Sequence, residues 1–228
     1  MMPGKVDMGV TDLVAAAETL RTFSGKSLTH RIRRLEKAFA GASGPAALDL
    51  NAQEGVSSPV LQAAAVVKVL AGQINVLIHA VGILRSLPKI LEPGETVEYL
   101  SLGAGNTGRS FDLETTQRVA EFKFIHWRGG SEAIRQNVLF KDFYLLAEKP
   151  TPKDKYLYVV GLDEPQKFLR GKRKLTSILS RNDKLLKEFT LQYGDRFVTV
   201  GEYFTEFGGK VKLVDLTPFM PELSVLNG

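Results

Sequence analysis

Two acidic residues and a lysine in the middle of the chain have a spacing that suits metal-dependent chemistry. Asp112 is followed by Glu121 nine positions later and by Lys123 two positions after that. The surrounding residues predict two short strands joined by a two-residue turn, and antiparallel pairing across this turn sets Asp112 opposite Glu121. Opposed carboxylates repel each other, and a hard divalent cation that binds oxygen ligands cancels the repulsion. The spacing therefore predicts a site for a hard divalent cation with Asp112 and Glu121 as ligands.

The two faces of this predicted hairpin differ in chemistry. With Thr116 and Gln117 as the turn, the period of two along a strand puts Lys123 on the same face as Glu121. The other face collects apolar residues, which are Phe111, Leu113, Ala120, Phe122 and Phe124. We therefore expect one face to pack on a helix and the other to present two acids and a lysine.

The elements around the hairpin predict an α/β fold. In chain order they are a helix from Ser58 to about Leu87, strands at 96–102, 110–115 and 118–127, a helix at 132–148 and a strand at 155–162. Ser58 followed by Pro59 is typical of a helix start, and Ser131 is a candidate helix cap. The central order is thus helix, three-strand meander, helix, strand.

At these residues the chain resembles the PD-(D/E)XK, or restriction-endonuclease-like, nuclease superfamily, over about residues 60–162. The motif is Asp112 on one strand and Glu121-Phe122-Lys123 on the next, and the order of elements is similar to the core of that superfamily. The resemblance implies that Asp112 and Glu121 hold Mg²⁺, that Lys123 orients or activates the attacking water, and that the substrate is a nucleic acid, DNA above all. Phe111 stands where the motif is named for a proline.

Accessory residues follow from the same resemblance. Gln136, with Phe140 four positions on, is similar to the Gln-x-x-x-Tyr element of the RecB-like branch, although Phe140 replaces the tyrosine. Many members add a carboxylate from the first core helix, and none is present between Pro59 and Leu87. Glu54 and Glu98 are the candidates to replace it.

Composition and charge are consistent with binding to a nucleic acid without requiring it. The 228 residues carry a net charge of +5 and contain no cysteine, which excludes disulfides, thiolate metal sites and cysteine nucleophiles. Basic residues concentrate between Lys167 and Lys187. Arg170, Lys172, Arg173 and Lys174 are the candidates to contact a phosphate backbone, the alternative being a solvated face.

The remaining segments precede and follow this core in the chain. We expect a helical N-terminal extension and connector at 1–57, the core at 58–162, and a basic helical region with a C-terminal strand pair, 196–203 with 210–216, at 163–228. The connector is 41–58. The apolar run Val69–Leu84 is shorter than a bilayer span and favours a buried helix, in one or two pieces. We expect a cytoplasmic protein without a membrane partner.

Two other functions stay open, and so does a homodimer. A protein of the same fold that binds nucleic acid without cutting it is the first. A nucleotide-binding protein is the second, because Gly103–Gly108 spells GxGxxG after a predicted strand. That fingerprint needs a helix at its third glycine and an acid about 20 residues on, whereas the following residues alternate like a strand and offer no acid at that distance.

Overall fold

The structure, a computed structural model, describes residues 10–103, 111–129 and 132–225. The chain divides into two compact units, Met1–Asn75 and Val76–Gly228. The second contains a mixed five-stranded sheet, so that the chain has the α/β class predicted from the sequence. The division falls within a long helix, whereas the sequence placed the first boundary after residue 57.

The first unit is helical. Its described residues form three helices and the start of a fourth: α1 (Val10–Ser24), α2 (Leu28–Phe39), α3 (Gly44–Gln53) and α4 (Ser58–Ile90). The segment 41–58, which the sequence predicted as a connector, contains helix α3. The Ser43 side chain accepts a hydrogen bond from the Ala46 N–H, and Pro45 lies in the first turn of α3. These local signals favour a helix although the segment lacks apolar periodicity.

Helix α4 runs unbroken through Gly72 and Gly82. The prediction that its apolar run is buried is wrong for most of its length: Leu77 is 61% exposed, while Ile83 is fully buried. By length and composition α4 is the one helix among the described residues that is apolar enough to cross a membrane, with an 18-residue window of mean hydropathy 1.7 that is 11% buried.

The two glycines of α4 provide a matched pair of substitutions. A Cβ at Gly82 would lie 2.5 Å from the Phe124 ring, whereas one at Gly72 would meet nothing within 4 Å. We expect Gly82→Ala to lower the free energy of unfolding by about 1–3 kcal/mol through overpacking. Gly72→Ala should raise it by about 0.5–1 kcal/mol, because alanine is the better helix former. Urea denaturation of both variants measures this, and equal effects would contradict the packing of α4 on Phe124.

The second unit is built on the sheet and on one helix that follows its third strand. These elements are β1 (Val97–Leu100), β2 (Leu113–Thr115), β3 (Arg118–Lys123), α5 (Ala133–Glu148), β4 (Asp154–Val159) and β5 (Lys212–Asp215). The strands lie in chain order across the sheet. The first two pairings are antiparallel, and β3, β4 and β5 are mutually parallel. The predicted order of helix, three strands, helix and strand is therefore present from α4 to β4.

The two faces of the sheet bury different apolar clusters. One contains Leu113, Ala120 and Phe122 together with Ile83 of α4, as expected for the apolar face of the hairpin. The other contains Val119 and a large group of side chains from α5 and the C-terminal helices. Phe111 packs against this second cluster, not against the one predicted for it. The face that carries Glu121 and Lys123 is therefore covered by a helix and is not an open surface.

The C-terminal region is mostly helical. Its helices are α6 (Asp163–Leu169), α7 (Leu175–Leu179), α8 (Asp183–Tyr193), α9 (Val200–Phe207) and α10 (Pro221–Val225). The predicted strand at 196–203 is wrong, because Thr199 and Glu202 form a capping box that starts α9. The C-terminal strand pair is therefore wrong as well, and β5 pairs with β4.

Candidate active site

The register of the hairpin is the predicted one from the turn back to Leu113, the first residue of β2. Leu113 pairs with Ala120 and Glu114 with Val119. The ladder ends there, and Asp112 lies in a bend directly before β2. Asp112 is therefore not a strand partner of Glu121, as the sequence had suggested. Its backbone N–H instead donates a hydrogen bond to Glu121 Oε2 at 3.2 Å.

The Asp112 carboxylate is fixed by two groups. One oxygen, Oδ2, accepts a hydrogen bond from the Phe122 N–H at 3.0 Å. This N–H lies beyond the last ladder pair of β2, so that the side chain takes the place of a strand partner. The other oxygen, Oδ1, is 3.2 Å from Nε2 of His79 on α4, whose ring meets Phe124 edge to face. The side chain of Asp112 is only 14% exposed.

The Lys123 ammonium lies between two carboxylates. Its Nζ donates a hydrogen bond to Glu121 Oε1 at 3.0 Å and is 2.7 Å from Asp142 Oδ2. Glu121 and Lys123 reach this place from alternate positions of β3, and Asp142 comes from α5, which covers that face. The side chain of Asp142 is 7% exposed and that of Glu121 is 12% exposed. The helix thus adds a third carboxylate to the predicted pair.

The charges shift the pKa values of Glu121 and Lys123. Burial raises the pKa of Glu121 to about 7; the Lys123 ammonium lowers it, and the Asp142 and Asp112 carboxylates raise it. Burial alone would lower the pKa of Lys123, but Asp142 and Glu121 outweigh it and hold the pKa above its ordinary value. Lys123 therefore stays protonated and acts as a charged hydrogen-bond donor. Glu121 takes up a proton near neutral pH.

This cluster fits a divalent cation by charge. Three carboxylates and one ammonium leave an excess of negative charge in a place with little water. Within the ranges that the structure describes, no three His, Asp or Glu side chains are arranged as a complete metal-binding group. Mg²⁺ needs no such group, since it keeps several waters and often takes one or two carboxylates together with the phosphates of a substrate.

The predicted accessory residues lie elsewhere or make other contacts. Glu98 forms an ion pair with Lys153 at 2.6 Å. Lys153 directly precedes β4, whereas Lys123 pairs with Val159 at the far end of that strand. Glu54 belongs to the first unit and pairs there with Arg31 and Arg34. Gln136 lies in the first turn of α5, six residues before Asp142.

The predicted basic segment is an exposed loop with an anchored backbone. Arg170, Lys172, Arg173 and Lys174 are all exposed and connect α6 to α7. The Arg173 carbonyl accepts a hydrogen bond from the Val200 N–H at 2.9 Å, and Gly171 and Leu175 bond to the same neighbouring segment. The cations therefore project from a fixed loop.

Most of the glycine-rich loop, from residue 104 to residue 108, lies outside the described residues. Gly103 has a φ of +80°, which favours glycine. The chain that follows enters the bend at Asp112 and then β2. Residues 111–115 therefore contain no helix of the kind that a dinucleotide-binding fingerprint requires.

Two residues of the cluster were not predicted from the sequence, His79 and Asp142. For each residue, its position relative to the buried positions of its helix could have indicated that it faces the core. His79 precedes buried Ile83 by one turn, and Asp142 lies among the buried positions of α5, where an unpaired acid would be costly. An acid at a core position of a helix indicates a buried cation nearby, which here is Lys123.

No protein-family model, curated protein or solved structure significantly matches the chain.

Proposed function

We propose that the chain is a divalent-metal-dependent nuclease with a restriction-endonuclease-like core that hydrolyses phosphodiester bonds, with DNA as the proposed substrate. The observation that carries the proposal is the convergence of Asp112, Glu121 and Lys123 at one partly buried place. A solvated hairpin face would leave these side chains exposed and apart. The order of elements from α4 to β4 supports the same proposal, because it is the order that the resemblance implies.

Asp112 and Glu121 would hold the ion, with Mg²⁺ or Mn²⁺ as the candidates. When bound, such an ion polarises the phosphate and lowers the pKa of a water molecule. His79 and the Phe122 N–H fix the orientation of Asp112, so that its carboxylate needs little reorganisation. This is the preorganisation that favours a transition state over a ground state.

Lys123 would act on the reacting groups through its ammonium. Asp142 and Glu121 keep it protonated and hold it within the cluster. From there it can orient the attacking water or donate to a phosphate oxygen as negative charge develops. Asp142 is a positioning residue in this scheme, since it acts through Lys123.

A second candidate is a protein of the same fold that binds nucleic acid without cutting it. The observation that favours it is the pairing of Lys123 with two carboxylates, which leaves the ammonium occupied within the protein. Metal-dependent cleavage separates the two candidates.

The test is incubation of the purified chain with supercoiled plasmid and with single-stranded DNA and RNA. Mg²⁺, Mn²⁺ and a chelator form the three arms. We expect nicking or shortening of a DNA substrate with either ion and none with the chelator. Binding without cutting in all arms would favour the second candidate. Tight binding of free nucleotides without affinity for the polymers would favour a nucleotide-binding protein.

The basic loop leads to a separate prediction about affinity. Replacing Lys172, Arg173 and Lys174 together with alanine should weaken binding of nucleic acid and reduce its salt dependence. Each lost contact lowers the slope of log K against log salt by about 0.9 on B-DNA. The fold should persist, because the loop is anchored by its backbone and the three side chains are exposed.

The matched control keeps the charges, with arginine at 172 and 174 and lysine at 173. It should retain the slope of the unmodified chain. Filter-binding or fluorescence titrations across a range of salt concentrations provide the measurement. An alanine variant with an unchanged slope would show that the loop is only a solvated face.

A further inference from the structure

The first unit contains a cavity of about 1170 Å³ between helices α1 and α2. Its lining residues recur every three or four positions, between 15 and 23 in α1 and between 30 and 34 in α2, so each helix turns one face toward it. The loop between these helices, the end of α3 and Val60 of α4 complete the wall, and all of them belong to the first unit. Pockets for small organic ligands measure about 300–1,000 Å³. The cavity between α1 and α2 therefore has room for such a ligand.

Two arginines of this cavity share one carboxylate. Arg31 Nη1 lies 2.5 Å and Arg34 Nη2 lies 2.9 Å from the same oxygen, Oε2 of Glu54. One acid thus faces two guanidinium groups and neutralises only half of their charge. Because both guanidinium groups reach a single oxygen atom, their charges converge at one place in the wall.

The other charged residues of the wall leave this excess uncompensated. Lys26 lines the cavity and forms no ion pair within the part of the chain that the structure describes. Glu18 lines it as well, but it forms an ion pair with Arg21 at 2.8 Å. With that neutral pair set aside and His30 neutral, three cations against Glu54 leave an excess of two positive charges.

Arg31 is held in place and still has donors to spare. Its side chain is only 16% exposed, and its guanidinium carbon lies 5.2 Å from the centre of the Phe23 ring. Two of its N–H groups bond to Glu54, one to the carboxylate and one to the backbone carbonyl. The Nε–H is buried and has no acceptor among the described residues. A guanidinium that is fixed in this way is preorganised to accept a further anion.

We propose that the cavity between α1 and α2 binds a small molecule through a phosphate monoester group. Such a group carries a charge of about −1.5 to −2 at pH 7, which matches the excess of the wall. Its several oxygens suit the forked donors of arginine. Convergence of Arg31 and Arg34 on one oxygen of Glu54 favours a compact anion over one whose charges lie far apart. The inference is independent of the proposed nuclease activity.

The rest of the wall favours a small molecule over a nucleic-acid strand. A phosphate fills only a small part of the cavity, and the Phe23 ring and the hydroxyl groups of Thr19 and Thr22 also line it. An apolar ring with a few polar groups is typical of pockets that hold an organic ligand. Among the described lining residues, α1 contributes one acid, Glu18, and no cation. The basic surface therefore does not continue across α1 as a track for further phosphates.

Isothermal titration calorimetry of the full chain with adenosine 5′-monophosphate (AMP) tests the site. A chelator in the buffer keeps divalent ions from the proposed active site. We expect saturable binding of AMP, competition by inorganic phosphate, and binding of adenosine at least about tenfold weaker, because loss of a hydrogen bond to a charged group has an effect of that size. No binding of AMP or of inorganic phosphate would overturn the proposal.

Neighbouring residues of the same charge provide matched variants. Arg34→Ala should weaken AMP binding about tenfold or more. Arg33→Ala should bind like the unmodified chain, because Arg33 is exposed and does not line the cavity. Lys26→Ala with Lys37→Ala as its control repeats the comparison at exposed positions, and circular dichroism should show that all four variants keep their helices. Equal affinities of Arg34→Ala and Arg33→Ala would overturn the proposal.

Two further measurements separate this cavity from other phosphate sites. Asp112→Asn should bind AMP like the unmodified chain, since Asp112 belongs to the second unit. Loss of binding in Asp112→Asn would place AMP at the candidate active site and overturn the proposal. A 5′-phosphorylated oligothymidylate should bind through Arg34 no more tightly than AMP. Much tighter binding that Arg34→Ala abolishes would identify a strand end as the ligand and overturn the proposal of a small molecule.

Discussion

Lys123→Ala is expected to abolish DNA cleavage while leaving Mn²⁺ binding nearly intact, whereas Asp112→Asn is expected to lose both. In the proposed site Asp112 and Glu121 supply the charge that retains the ion, so removal of one acid weakens the site itself. Lysine is no metal ligand. In the proposed mechanism its ammonium acts in the transition state, and loss of one such donor in other enzymes costs about 10²–10³ in rate. Single-turnover cleavage and calorimetric Mn²⁺ titration measure the two effects.

Lys153→Ala is the matched control for Lys123→Ala. Lys153 also lies between two carboxylates, Glu98 at 2.6 Å and Glu114 at 3.0 Å, but next to the other end of β4. It should cleave at the rate of the unmodified chain. Because removal of Lys123 leaves buried acids without their cation, Lys123→Gln should be assayed beside it, with thermal melts of both. Cleavage by folded Lys123→Ala at the normal rate would exclude the catalytic role.

Glu121→Gln is expected to remove a large pH dependence of stability from the metal-free protein. The pKa of Glu121 is about 7 in the folded chain against an ordinary 4.5. Below pH 4.5 the group is protonated in both the folded and unfolded states. As the pH rises from 4.5 to 7 the unfolded chain loses this proton first, so Glu121 lowers the free energy of unfolding until both states are ionised. The full loss is about 3 kcal/mol.

The measurement is urea denaturation of both proteins in chelator between pH 4.5 and 8. The difference between the two removes the contributions of titrating groups that do not interact with Glu121. Glu121→Gln should gain stability relative to the unmodified chain as the pH rises and should level off above pH 7. A difference that stays constant with pH would show that Glu121 titrates normally and is not buried among the carboxylates.

The hairpin was predictable because its signals are local. Alternation with a period of two gave the pairing of Leu113 with Ala120 and the apolar face that packs on α4. The sequence could not show that the ladder stops at Leu113, because the next pair looks equally regular in sequence. The end of the ladder is what frees the Phe122 N–H for the Asp112 carboxylate.

The rest of the cluster depends on tertiary contacts. His79 and Asp142 are 33 and 30 residues from Asp112 along the chain, on two different helices. Only the packing of α4 and α5 on opposite faces of the sheet brings them to the hairpin. The error at 196–203 has a different origin. Alternating apolar residues favoured a strand there, and the capping box at Thr199 and Glu202 outweighed them.

The central claim is that Asp112 and Glu121 hold one divalent ion, and anomalous scattering from crystals soaked in Mn²⁺ tests it most directly. The account predicts an anomalous peak within bonding distance of both carboxylates, with Lys123 nearby but not coordinating. The peak should be absent from crystals of Asp112→Asn. A folded crystal soaked in Mn²⁺ with no peak at these two residues, or with its peak only elsewhere, would contradict the account.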